Sequence, residues 1–206
     1  LATEPSNPAS SSPSSSPNSD AAWVDLEHYK VTNYDPGGLV PRVLWYFTSM
    51  VMFDSPLPIP SRLKCMVLRW FGAKLGEGVV IKPWVRIKFP WKLKIDSFVW
   101  IGEGTWIDNL AEVRIGSHVC VSQGVYFCCG SHDHRRRGFD LITSPITIEQ
   151  GAWIATRSTL IGGVTIGANA LVAACSMVHK DVPAGVMVGG NPAKVIRDRE
   201  PPVDRS

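Results

Sequence analysis

The chain has no apolar run long enough to cross a bilayer. Its longest, Val43 to Phe53, is about half of the ~20 residues a spanning helix requires. Charge is scarce too: charged residues are 19% of the chain and the formal net charge is +3, which argues for no nucleic-acid partner. Cysteines in paired spacing are missing. The five present (Cys65, Cys120, Cys128, Cys129, Cys175) are odd in number, include an adjacent pair and follow no disulfide-framework pattern, so a reducing, cytoplasmic setting is expected. The opening LATEPSNPASSSPSSSPNSD lacks the apolar core of a signal peptide. It also lacks the apolar area that offsets the entropy of ordering, so residues 1–22 read as a disordered tail.

A helical segment over residues 23–73 is expected next. Val43 to Phe53 reads as a short helix packed on the main domain. The alternative is a helix lying on a membrane surface, with Trp45, Tyr46 and Phe47 at the interface and Arg42 beside them. DSPLPIPS then ends it, because its prolines cannot continue a helix. A second amphipathic stretch, Arg62 to Phe71, leads into a repeat.

Every sixth position from Leu75 is apolar. The series runs Leu75, Ile81, Ile87; Ile95, Ile101, Ile107; Ile115, Val121, Phe127; and, after a gap, Ile148, Ile154, Leu160; Ile166, Val172, Val178. Six residues turn an α-helix by about 600°, which would scatter these side chains over three faces. Three sixes instead make one triangular coil, with each apolar residue inside and stacked on its counterpart at the ~4.8 Å strand spacing. Four positions further on lie small or β-branched residues such as Val85, Thr105, Ser158 and Ala170, with Trp91 a bulky exception. Gly76, Gly102, Gly116 and Gly167 follow the apolar residue, where the backbone is expected to turn. The fold predicted is mainly β: a parallel β-helix over residues 74–190, broken by an inserted loop at 128–147.

That loop carries Cys128, Cys129, His132, His134 and the run Arg135-Arg136-Arg137. With the flanking GSHDHRRRGFDLITSPITIEQGAWIATRSTL, and with FGAKLGEGVVIKPWVRIKFPWKLKI and WIGEGTWIDNLA before it, the sequence resembles hexapeptide-repeat O-acetyltransferases, most of all the colanic-acid biosynthesis type. The resemblance spans roughly Tyr34 to Arg199. It implies a left-handed coil, a homotrimer, acetyl-CoA as co-substrate and a saccharide hydroxyl as acceptor, free or on a nucleotide or lipid carrier.

The resemblance also implies site residues. His132 matches the family's general base; imidazole titrates near neutral pH and suits removal of a hydroxyl proton. Without that context a loop histidine is more often a polar surface residue. Asp108 and Asn109, one coil earlier, are implied as acceptor ligands, though both residue types also make plain corners. Trp153, Thr156, Ala174, His179, Lys180, Lys194 and Arg197 are implied along the CoA groove, the cations for its phosphates. His179 stands where the family often has threonine. The tail, residues 191–206, is expected to hold a short helix after Gly189-Gly190. The arginine run reads as a solvated loop tip or a site for an anionic glycan, lipid diphosphate or membrane phosphate. Two other functions fit the scaffold: a metal-dependent lyase or hydrolase like a γ-type carbonic anhydrase, using His118, His132 and His134, or a non-enzymatic binding module.

Overall fold

The computed structural model describes residues 22–31, 34–201 and 203; the Ser/Pro tail read from the sequence lies outside them, Ala22 excepted. From Lys74 the chain winds as a parallel β-helix with three faces. The first face stacks Lys74–Leu75, Leu93–Ile95, Val113–Ile115, Ile146–Ile148 and Thr165–Ile166. The second stacks Val80–Ile81, Trp100–Ile101, Cys120–Val121, Trp153–Ile154, Leu171–Val172 and Val186–Gly189; the third, Arg86–Ile87, Trp106–Asp108, Tyr126–Cys128, Thr159–Ile161 and Met177–Val178.

The register is the one the six-residue period predicts. Leu75, Ile95, Ile115, Ile148 and Ile166 pair in line, as do Ile87, Ile107, Phe127, Leu160 and Val178. All of these are buried except Leu75, which is half-buried in the first coil. Thr105, Ser158 and Ser176 fill their small corners fully buried, each hydroxyl donating to a backbone carbonyl.

The glycines after the apolar residues are needed for a different reason from the one expected. A Cβ on Gly102 would lie 2.5 Å from the Ser122 carbonyl carbon of the next coil. Close coil approach, not turning, excludes a side chain there. The left-handed backbone falls two residues later. It is taken by Gly104 and Gly124, but also by Trp84, Phe98, His118, Arg157, Asn169 and Cys175.

Two helices close the first coil. Helix α1 (Leu39–Met52) and helix α2 (Ser61–Trp70) flank the proline segment, close to the expected positions. An open sheet edge presents unpaired carbonyls, and the helices cover them. The Trp45 indole donates to Ile87 O at 2.8 Å, Lys64 Nζ to Ile81 O at 3.4 Å and Lys82 O at 3.0 Å, and Arg69 to Gly76 O at 2.9 Å. Lys64 is buried, and desolvation holds its ammonium below the usual lysine range. Lys64→Ala leaves Lys82 O without this donor and Ile81 O with only the Ser61 hydroxyl; a loss of about 1–3 kcal/mol is expected in urea denaturation.

Helix α1 meets the packed expectation only in part. Trp45 is buried against Phe53 and Phe71, so it does not lie at an outer interface. Leu39, Val43, Tyr46, Phe47 and Met50 are exposed.

The tail is not helical. Lys194–Asp198 is a strand, antiparallel to Val186–Gly189. It covers the last edge of the second face, which would otherwise stay open.

Candidate functional site

The inserted segment is a β-hairpin. The coil leaves after Cys128, and Gly130–His132 pairs antiparallel with Leu141–Thr143, His132 opposite Leu141. The Ser144 N–H donates to Cys129 O at 3.0 Å, closing the root, and the coil resumes at Ile146. The tip is closed by Asp133 N–H to Asp140 O and Phe139 N–H to Arg136 O, both 2.9 Å.

His132 is half-buried. Its Nδ1 lies 2.8 Å from Phe139 O. A carbonyl only accepts, so Nδ1 carries the proton and Nε2 presents its lone pair. The Phe139 ring stacks on the imidazole, centroids 4.4 Å apart and planes 4° from parallel. The Tyr29 ring stands edge-on at 5.7 Å, in an N-terminal arm whose Asp25 N–H donates to Arg137 O. Phe139 and Tyr29 were not legible as site residues, since neither belongs to the repeat.

The arginine run is largely satisfied by its own loop. Arg136 pairs with Asp140 at 2.7 Å and Arg135 with Asp133 at 3.3 Å. Both arginines and His134 are exposed.

Asp108 and Asn109 part company. Asp108 ends a third-face strand in register with Cys128, at the hairpin root. Its carboxylate is 2.9 Å from Lys88 Nζ and 3.4 Å from the Tyr126 hydroxyl. Burial, with Cys128 and Asp108 beside it, pushes the Tyr126 phenol well above its ordinary range, so it stays a donor. Asn109 is fully buried; its amide donates to Phe89 O and accepts from Phe89 N–H at 2.6 and 2.9 Å. Both ends are spent on the preceding coil. The acceptor role implied for Asn109 is therefore corrected to a corner role.

The residues implied for CoA form a row on another side of the coil. Thr156 and Ala174 occupy the same place in successive coils, and Cys175 N–H donates to Thr156 O at 2.9 Å. Thr156 donates to Gln123 O at 2.8 Å, beside a groove of about 570 Å³ lined by Trp84, Glu103, Gly104, Gln123, Gly124 and Arg157. Trp153, Leu171, Met187 and Arg197 stand in line across the second face. His179, Lys180 and Lys194 are exposed at that end.

Nothing gathers a metal site among the described residues: no three His, Cys, Asp or Glu side chains converge. His118 sits at a corner, stacked on Phe98 at 5.2 Å, away from the His132 hairpin. Burial pushes the Cys129 thiol up to about 12, far from thiolate chemistry.

Residues 145–180 match the bacterial transferase hexapeptide family of six repeats. A protein of Escherichia coli strain K12, named as a colanic acid biosynthesis acetyltransferase (WcaF), is 40% identical over 176 residues, covering 85% of this chain and 97% of its own. The chain belongs to the hexapeptide-repeat acetyltransferases. The galactoside O-acetyltransferase of the same organism is 27% identical over 164 residues, 78% of this chain and 81% of that one. Among solved structures, a hexapeptide-repeat acetyltransferase of Vibrio cholerae O1 biovar eltor, complexed with acetyl coenzyme A, superimposes with a TM-score of 0.73 at 27% identity, over 84% of this chain and 96% of that one. Membership of this acetyltransferase family sets aside the binding-module reading and carries with it the left-handed coil.

Proposed function

We propose that this acetyltransferase moves acetyl from acetyl-CoA to a saccharide hydroxyl in exopolysaccharide assembly, with His132 as general base. The observation that carries the reading is the imidazole itself: Nδ1 is committed to Phe139 O at 2.8 Å, which leaves Nε2 as the free acceptor. Nε2 takes the hydroxyl proton as the sugar oxygen attacks the thioester carbonyl carbon. The C–S bond then breaks, and the imidazolium returns its proton to the departing sulfur. No covalent intermediate is needed, which fits the raised Cys129 thiol.

In this reading Asp108 accepts from the acceptor's hydroxyls; its position at the hairpin root beside Lys88 supports the role. CoA runs along Trp153, Thr156 and Ala174, with Lys180, Lys194 and Arg197 toward its phosphates; His179 is the weakest of these contacts. The hairpin leaves from one end of the third face, and the Thr156 row lies beyond the other. A homotrimer, in which one subunit's hairpin meets a neighbour's row, joins the two. The test is incubation with acetyl-CoA and a panel of saccharides and nucleotide sugars, following free thiol. Acceptor-dependent release supports the reading; release with no saccharide in the panel counts against it.

Helix α1 suggests where such an acceptor meets the protein. No helix among the described residues is long and apolar enough to cross a membrane, yet Tyr46, Phe47 and Met50 are exposed on α1, close to Arg42. We infer peripheral contact with an anionic bilayer, a reading that exposed aromatic side chains beside a cation support. Phe47→Glu is expected to cut co-sedimentation with phosphatidylglycerol vesicles about tenfold, while leaving transfer to a soluble acceptor unchanged.

A further inference from the structure

Phe139 has a positive φ, 50°, in a bulky residue. This conformation is strained for any residue that carries a Cβ. The other such residues, Trp84, Phe98, His118, Arg157, Asn169 and Cys175, all stand three positions after an inward residue of the coil, where the repeat itself imposes the turn. Phe139 lies outside the coil, and the repeat makes no such demand on it. Glycine is the residue that takes this backbone without cost, and Gly138 is the very next position back.

The conformation turns two parts of one residue toward the same imidazole. The carbonyl accepts from Nδ1 at 2.8 Å, and the ring lies parallel to the imidazole at 4.4 Å. Tyr29 closes against it edge-on. The turn that holds Phe139 is made by its own N–H to Arg136 O, with Arg136 paired to Asp140 across the tip. A carbonyl alone fixes the tautomer but lets the ring swing about the hydrogen bond; a parallel ring removes that freedom.

We propose that Phe139 is a positioning residue for the acetyl transfer, its carbonyl setting the His132 tautomer and its ring setting the imidazole plane. The proposal rests on His132 being the base. An orienting group of this kind acts on turnover rather than on binding of the thioester, because a base out of line by an ångström loses orders of magnitude.

Three variants of the full-length protein test it. Phe139→Leu keeps apolar bulk and removes the parallel ring. Phe139→Gly also removes the ring but relaxes the backbone, and Phe139→Tyr keeps the ring. Leu and Gly are expected to lower kcat about tenfold or more with KM for acetyl-CoA within about twofold, and Tyr to restore it. In NMR spectra the His132 ring protons should move downfield in Leu and Gly, as the shielding of the stacked ring is lost, and stay in place in Tyr. Wild-type kcat in Leu and Gly, unmoved His132 resonances, or an equal loss in Tyr would each overturn the proposal. His132→Ala in the same assay separates the two failures. If that variant turns over at close to the wild-type rate, the base assignment is wrong; if it falls ~10²-fold or more while Phe139→Leu keeps the wild-type rate, only the positioning role falls.

Discussion

His132→Ala is expected to lower kcat by ~10²-fold or more, with the KM for acetyl-CoA and the thermal midpoint both close to wild type. The size of the effect follows from the chemistry. A neutral hydroxyl is a weak nucleophile, and a positioned base supplies its activation in the transition state rather than in the bound complex. The sparing of stability follows from placement. His132 stands on a hairpin that leaves the coil after Cys128, is only half-buried, and contributes no side chain to the stacked interior. The sparing of KM follows from the contacts, since those proposed for CoA lie along the second face and the corner after it and do not include the His132 side chain. Steady-state kinetics with thermal unfolding of the same preparation checks all three together.

The second large effect is on stability. Phe127→Ala is expected to cost about 3–5 kcal/mol, read as a lowered denaturation midpoint. Phe127 is fully buried and stacked in register between Ile107 and Leu160. It is the one aromatic residue among the inward positions and the last before the hairpin. Neighbouring coils are tied to one another by backbone bonds, among them Tyr126 N–H to Ser158 O and Gly162 N–H to Cys128 O, so they cannot close on the cavity. Loss of turnover is expected to accompany the loss of stability here, because Cys128 and the hairpin root follow directly. Phe127→Leu keeps much of the volume and is expected to cost less than half as much as the alanine.

The coil was legible because burial imposes a period, and the period survives in sequence as apolar residues at every sixth place. The left-handed corner residues were not, because Trp84, His118 and Arg157 fill them as readily as Gly104 and Gly124 do; backbone strain leaves no single residue type behind. The close approach at Gly102 looked like a turn for the same reason. The terminal strand was missed because Lys194–Asp198 is specified by the open edge it covers, a demand made by the fold and not by its own composition. At the site, His132 was legible only through its resemblance to a family motif. Asp108 and Asn109 looked equivalent until the Phe89 backbone claimed both ends of the Asn109 amide. Lys88, Tyr126 and Phe139 meet the site through pairing between coils and a hairpin turn, and carry no local mark.

The most direct test follows the acetyl group itself. Acetyl-CoA labelled in the acetyl carbonyl is incubated with the protein and an accepting saccharide, and mass spectra are taken of the sugar and of the protein during turnover. Direct transfer predicts label on one sugar oxygen, an unlabelled protein at every time point, and product and thiol release lowered ~10²-fold or more in His132→Ala. Label on the protein chain, or transfer at close to the wild-type rate in His132→Ala, would contradict a reaction based on His132.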